Sequence, residues 1–285
     1  MTEAAFLTCD VFTDRPFGGN PLAVFPDAAG LSTGQMQRLA RELNLSETAF
    51  VLPSERGLGP RVRIFTPTAE LAFAGHPTIG TALCLRDLGR AGGGRIVLEE
   101  GAGPVAVTFA ADGSAELEAP QAYAVEGVFA ADLAARALGL DRERIVGDVP
   151  VAGTGNPFPL VELADLDALA AATLRPMEKA HPLERHVFLF VRTGENALRA
   201  RMFAPGNGIP EDPATGSAAA ALAGHLAEGA ADAEGELRFT LEQGIEMGRP
   251  SRITMRAIKR DGRIEAIFVA GGAVPMARGR IRVGG

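Results

Sequence analysis

The sequence predicts an α+β protein made of two pseudo-repeated halves, each a mixed β-sheet rolled around a central helix. Three observations predict it. The first is an internal repeat, seen in four places. Gly19-Asn20-Pro21-Leu22-Ala23-Val24 is echoed by Gly155-Asn156-Pro157-Phe158-Pro159-Leu160-Val161, and Arg63-Ile64-Phe65-Thr66-Pro67 by Arg201-Met202-Phe203-Ala204-Pro205. Pro77-Thr78-Ile79-Gly80-Thr81-Ala82 is echoed by Pro213-Ala214-Thr215-Gly216-Ser217-Ala218, and Leu98-Glu99-Glu100-Gly101 by Leu241-Glu242-Gln243-Gly244. The offsets are 136, 138, 136 and 143 residues, in the same order along the chain. The second observation is a pair of segments that are apolar or small nearly all round, as helices buried on every side must be. The third is a series of short runs rich in β-branched residues between them.

In chain order, Ser32 with Gln35 forms a capping box, after which Met36, Leu39, Ala40 and Leu43 fall on one helical face. Residues 47–52 then read as a strand ended by Pro53, and 61–66 alternate as another. His76-Pro77 opens a helix running to about Leu88, with Gly89 as its stop, since proline suits the first turn. Its counterpart opens at Asp212-Pro213, with Asp212 as N-cap, and runs to about Gly229. Residues 96–98, 105–109, 237–241, 252–258 and 264–269 read as strands, and the halves meet near residues 119–126.

Composition narrows the function. The chain has 285 residues, room for about two domains. It is 47% hydrophobic and 22% charged, which excludes a disordered chain. The net charge of −7 disfavours a nucleic-acid partner. The basic run Arg278, Arg280 and Arg282 alternates as a half-exposed strand would. Two cysteines, Cys9 and Cys84, exclude a disulfide framework and a cysteine-rich zinc site. No window is apolar over 18 residues, and the start lacks a signal-peptide pattern, so the expected setting is the cytoplasm, without a membrane partner.

The chemistry is expected at the starts of the two buried helices. A helix N-terminus offers unpaired N–H groups and a partial positive charge, suited to a carboxylate and to a developing enolate-like anion. Two such ends are expected to face one cleft, with Gly75, Gly216 and Ser217 allowing close approach. His76 and Asp212 occupy the two expected N-caps. Glu47 begins a strand and has no acidic counterpart in the second half, where His186-Val187-Phe188 lies. That asymmetry points to one acid/base, which can take a proton from one atom and return it to another on the same face.

Five segments together resemble the PhzF-like phenazine-biosynthesis family. They are Asp10-Val11-Phe12 with Phe17-Gly18-Gly19-Asn20-Pro21-Leu22-Ala23-Val24-Phe25, Asn44-Leu45-Ser46-Glu47-Thr48-Ala49-Phe50-Val51, the 63–67 run, residues 70–82 around Gly75-His76-Pro77, and Glu211-Asp212-Pro213-Ala214-Thr215-Gly216-Ser217-Ala218. Gln243-Gly244 through Gly248-Arg249-Pro250-Ser251 adds a further match. The resemblance implies a diaminopimelate epimerase-like fold, a homodimer and no cofactor or metal. It implies one domain of residues 1–120 with 273–285, completed by a returning final strand, and a second of residues 121–272. It implies Glu47 as acid/base, His76 and Asp212 as its catalytic partners, and Asn20, Gly75, Thr215, Gly216 and Ser217 as groups that bind a small carboxylate substrate. In the family's phenazine enzyme, trans-2,3-dihydro-3-hydroxyanthranilate is isomerised by proton transfer from C3 to C1.

The epimerase relatives place a cysteine in each repeated loop for two-base racemisation. The positions that match those cysteines are expected at Ala74 and Pro213, which move no proton. Cys84 lies eight residues past His76, about 12 Å along a helix. Two-base racemisation through cysteines is therefore excluded. Two alternatives stay open: an isomerase or epimerase of a different substrate, or a silent small-carboxylate-binding protein. Phe17, Phe73, Met202 and Ile209 are the expected specificity lining. His181, His186 and His225 lack metal-site spacing, His225 being placed at the end of its helix. Tyr123 is assigned to the linker and Cys9 to the core.

Overall fold

The computed structural model describes residues 2–176 and 182–284, so His181 lies outside the described residues. The chain divides into two compact units, Met1–Pro120 with Ala270–Gly285, and Gln121–Val269.

The first unit begins with β1 (Thr2–Val11), β2 (Asn20–Phe25), α1 (Thr33–Leu43), β3 (Glu47–Leu52), β4 (Arg61–Phe65) and β5 (Glu70–Leu71). It continues with α2 (Gly75–Asp87), β6 (Arg95–Glu100), β7 (Gly103–Phe109) and β8 (Ala115–Glu118). β1 is antiparallel to β2, β2 parallel to β3, β3 antiparallel to β4, and β4 parallel to β6. β7 then pairs antiparallel with β6 and with β8. On its other side β1 pairs with the chain's final strand, Ala273–Val283, with Thr2 opposite Val283 and Val11 opposite Ala273. In that final strand Arg278, Arg280 and Arg282 are exposed, alternating with more buried positions.

Helix α2 packs against β1, β2, β3, β6, β7, β8 and the final strand, so the sheet is rolled around it. Its sequence allows this because residues Gly75 through Leu83 are small or apolar enough to be buried without a break. Gly80 marks the tightest approach: a Cβ there would lie 2.6 Å from the Leu22 side chain and 2.7 Å from that of Val11. Helix α1 covers the sheet from outside. The Ser32–Gln35 capping box forms, Asn44 closes the helix in the left-handed conformation, and Met36, Leu39 and Ala40 are buried. They pack on Phe25, Phe50 and Phe65, whose rings stack at 4.8 Å and meet edge-on at 5.5 Å.

The second unit begins with β9 (Ala124–Phe129), α3 (Ala131–Leu138), β10 (Val149–Gly153), β11 (Pro157–Glu162), α4 (Leu166–Ala171) and α5 (Pro182–Arg185). It continues with β12 (Val187–Arg192), β13 (Ala197–Ala204), β14 (Ile209–Asp212), α6 (Gly216–Gly229), β15 (Gly235–Gln243), β16 (Ser251–Arg260) and β17 (Arg263–Gly271). β10 is antiparallel to β9 and β11, β11 parallel to β12, β12 antiparallel to β13, β13 parallel to β15, and β15 antiparallel to β16. Helix α6 packs on β10, β11, β15 and β16.

The pairing sequence β1-β2-β3-β4-β6-β7 thus recurs as β10-β11-β12-β13-β15-β16, with β5 on β4 and β14 on β13. The likeness extends to side chains. Arg63 forks onto Glu70 at 2.7 and 2.6 Å with its guanidinium over the Phe65 ring. Arg201 forks onto Glu211 at 2.9 Å through both nitrogens, over the Phe203 ring. Mixed parallel and antiparallel strands with a central helix in each unit make this an α+β protein, as the repeat predicts.

Some expectations need correction. Helix α6 starts at Gly216, not Asp212-Pro213, because residues 209–212 pair with β13. The helix starts therefore correspond as Gly75 and Gly216, an offset of 141, and the Pro77–Pro213 echo is five residues out of register. Residues 124–126, read as linker, already belong to β9, and Tyr123 packs its ring against Gly224 of α6. His225 sits inside α6, not at its end, and burial lowers its pKa. Cys9 is buried in β1 as expected.

Candidate active site

In the first unit, the parallel strands β2 and β3 start side by side, with Leu22 opposite Glu47. Their first residues, Asn20 and Glu47, are thereby brought to the start of α2. The turn before Asn20 depends on Gly19, whose φ is +58° and where a Cβ would run into the Val11 carbonyl. Ser46 Oγ donates to Asn20 Oδ1 at 2.8 Å, and Asn20 Nδ2 lies 3.3 Å from His76 Nδ1. Glu47 Oε2 lies 3.4 Å from the same ring nitrogen.

His76 is 4% exposed, and burial lowers its pKa to about 3, so the imidazole is neutral at pH 7. Its Nε2 is buried with no hydrogen-bond partner among the described residues. Nδ1 thus faces both the Asn20 amide and the Glu47 carboxyl. His76 is not the N-cap. That position is Ala74, which makes no side-chain cap, and His76 is the second residue of the helix. Since Pro77 has no N–H, the amides of Gly75 and His76 are the donors this helix end presents.

In the second unit the N-cap of α6 is Thr215, so Asp212 is not a cap either. Asp212 ends β14, is buried, and accepts a 2.5 Å hydrogen bond from Thr215 Oγ1. Gln243, fully buried at the end of β15, holds the loop. Its Oε1 accepts from Thr215 N at 3.1 Å, and its Nε2 donates to the Asp212 carbonyl at 2.8 Å and to Thr215 Oγ1 at 3.1 Å. Ser251 Oγ donates to the Pro213 carbonyl at 2.8 Å. Gly216 and Ser217 are the first two residues of α6, so Ser217 occupies the place that His76 has in α2. The N-cap positions of α2 and α6 are Ala74 and Thr215, and neither carries a thiol.

The structure therefore brings Asn20, Glu47, Gly75 and His76 together within one unit, and Asp212, Thr215, Gly216 and Ser217 within the other. Of the expected specificity lining, Phe17 is 73% exposed, whereas Met202 is a core residue at 2%. Ser46, Gln243 and Ser251 were not given roles from the sequence, although Gln243 stands in the Leu-Glu-Gln-Gly echo. Among the described residues no three His, Cys, Asp or Glu side chains gather as a metal site would require. No helix of the described residues is long and apolar enough to cross a membrane.

Comparison with known proteins identifies the family. The model of the phenazine biosynthesis-like protein family (PhzC-PhzF) matches residues 9–279. The chain is 39% identical to an uncharacterized isomerase of Mesorhizobium japonicum, with 99% of each chain covered. It is 37% identical to the trans-2,3-dihydro-3-hydroxyanthranilate isomerase of Pseudomonas aeruginosa, over 96% of this chain and 98% of that one. The crystal structure of the PhzF-family phenazine biosynthesis protein of Bacillus anthracis superposes with a TM-score of 0.86 at 26% identity, covering 99% of this chain and 100% of that one. The chain belongs to the PhzC-PhzF phenazine biosynthesis-like family and is an isomerase of the PhzF type.

Proposed function

We propose that this isomerase moves one proton between two carbons of a small carboxylate, without a cofactor, and that Glu47 is the acid/base. The proposed reaction is similar to that named for the Pseudomonas aeruginosa relative, the isomerisation of trans-2,3-dihydro-3-hydroxyanthranilate. The observation that carries this reading is the approach of Glu47 Oε2 to a neutral, buried imidazole at the start of α2. A neutral ring places no positive charge beside the Glu47 carboxyl.

The amides of Gly75 and His76 in the first unit, and those of Gly216 and Ser217 in the second, would each offer donors to a carboxylate or to developing negative charge. Asn20 and Thr215 would orient the substrate, and Asp212 would hold a polar group of it. In this reading the protein works as a homodimer, as the family resemblance implies.

The test is turnover of trans-2,3-dihydro-3-hydroxyanthranilate in D₂O, followed by NMR. Wild type should place solvent deuterium on the product, and Glu47→Gln should lose turnover by roughly 10²–10⁴-fold. A Glu47→Gln protein as fast as wild type would remove Glu47 from the mechanism.

A further inference from the structure

Cys9 and Cys84 are the only cysteines in the chain and stand 75 positions apart, yet their sulfurs lie 3.7 Å from each other. The packing of α2 on β1 produces this contact. Gly80 and Cys84 are four residues apart and so share one helix face. At Gly80 the helix runs so close to the strand that a Cβ would already sit 3.5 Å from the Cys9 sulfur. One turn later, Cys84 meets Cys9.

The two thiols differ in access. Cys9 is buried, while Cys84 is partly exposed and lines a surface cavity of about 180 Å³. Thr8, Asp87, Met276 and Arg278 share that lining.

We propose that Cys84 and Cys9 form an oxidation site for small hydroperoxides, in which Cys84 is the attacking thiol and Cys9 the resolving one. The cavity admits the peroxide to Cys84 only. The Cys84 thiolate attacks one peroxide oxygen: an S–O bond forms, the O–O bond breaks, and the departing oxygen takes up a proton to leave as water or alcohol. Cys84 is then a sulfenic acid. Cys9 attacks the Cys84 sulfur: the S–S bond forms, the S–O bond breaks, and the Cys9 proton leaves with the hydroxyl as water. Two thiols are oxidised by two electrons, and one hydroperoxide is reduced. The assignment of roles agrees with the acidities. The contact with Cys9 lowers the Cys84 pKa against the opposing effects of burial and Asp87, with Arg278 adding a smaller downward effect, whereas the same contact and burial raise that of Cys9.

The experiment treats the native, reduced protein with one equivalent of hydrogen peroxide, then alkylates it and measures intact mass and non-reduced peptides. Wild type should lose two hydrogens, show no alkylatable thiol, yield a peptide pair joined through Cys9 and Cys84, and revert with dithiothreitol. Cys9→Ala should stop at a sulfenic acid that dimedone traps on Cys84, with Cys9→Ser as the second variant if alanine disturbs the core. Cys84→Ala should leave Cys9 unmodified and react with a disulfide reagent about tenfold or more slowly than Cys9→Ala. Two alkylatable thiols surviving in wild type, a disulfide between two chains, or no dimedone adduct in either Cys9 variant would each overturn the proposal.

Discussion

Thr78 Oγ1 stands 2.7 Å from the Ala74 carbonyl and equally 2.7 Å from Glu100 Oε1. A hydroxyl has one proton to donate, so two acceptors cannot both be served by it. Thr78 is the donor in both contacts, so either acceptor is fully served only while the other is not. Burial pushes the Glu100 pKa up to about 8, against an opposing pull from Thr78. A neutral carboxylic acid therefore lies beneath the first turn of α2. Its neighbour Glu99 shows the opposite behaviour. Burial raises its pKa, but hydrogen bonds from Ser54 and the amides of Glu55, Leu58 and Arg56 outweigh that and hold it near 2.

Glu100 makes stability fall as pH rises. In the unfolded chain it loses its proton near its ordinary value of 4.5, whereas in the fold it keeps it to about 8. Between those values folding takes up a proton, so the Glu100 contribution declines by up to about 1.4 kcal/mol per pH unit. Glu100→Gln, which stays neutral, should remove that slope. Urea unfolding of both proteins between pH 6.5 and 8 measures the difference. Parallel curves would show that Glu100 is ionised in the fold.

His76 should stay neutral throughout the range in which enzymes are assayed. Burial lowers its pKa to about 3 from an ordinary 6.5, so its contribution to stability is present above 6.5 and is lost as pH falls toward 3. The imidazole Cε1–H resonance should not shift between pH 5 and 8. A midpoint near 6.5 would show a solvated or ion-paired ring.

Loop 212–216 should depend on two residues outside it. Gln243→Ala removes three hydrogen bonds to Asp212 and Thr215 and should cost about 2–4 kcal/mol. Gly244→Ala meets a φ of +73° and places a Cβ 2.5 Å from the Arg249 carbonyl and 2.6 Å from that of Pro213. Both variants should lower the urea midpoint and also impair turnover. A Gly244→Ala protein with the wild-type midpoint would contradict the backbone geometry.

The two arginine forks should not be equally costly to break. Arg201 is buried and, besides Glu211, donates to the carbonyls of Leu169 and Ala172 at the end of α4. Arg201→Ala strands Glu211 and those carbonyls together and should destabilise by about 3–5 kcal/mol. Glu70, the partner of Arg63, has a side chain 40% exposed, so water can replace the fork. Arg63→Ala should cost about 1 kcal/mol. Chemical denaturation of both variants gives the comparison.

Much of the architecture was legible because it follows from local rules. The Ser32–Gln35 box, the strand starting at Glu47 and the all-round apolar character of α2 each have one dominant physical cause. The start of α6 was misread because Asp212-Pro213 is a good opening for a helix, yet pairing of β14 with β13 claims Asp212 first. Chain spacing could place His76 near the start of its helix but not at its second position, because the cap is Ala74, a residue without a capping side chain. Gln243 shows the limit most clearly. A glutamine at the end of a strand is ordinary in sequence, and its role exists only once the parallel β13–β15 pairing carries it beneath the loop after β14.

Because β1 is completed by residues 273–283, the order of synthesis does not match the order of assembly. When residues 121–269 have left the ribosome, every strand partner that unit needs internally has emerged. β1, which precedes them in the chain, still exposes the hydrogen-bonding edge that residues 273–283 will cover. Until residues 273–283 emerge, that edge lacks its partner strand, and damage confined to those eleven residues falls on the unit that contains β1.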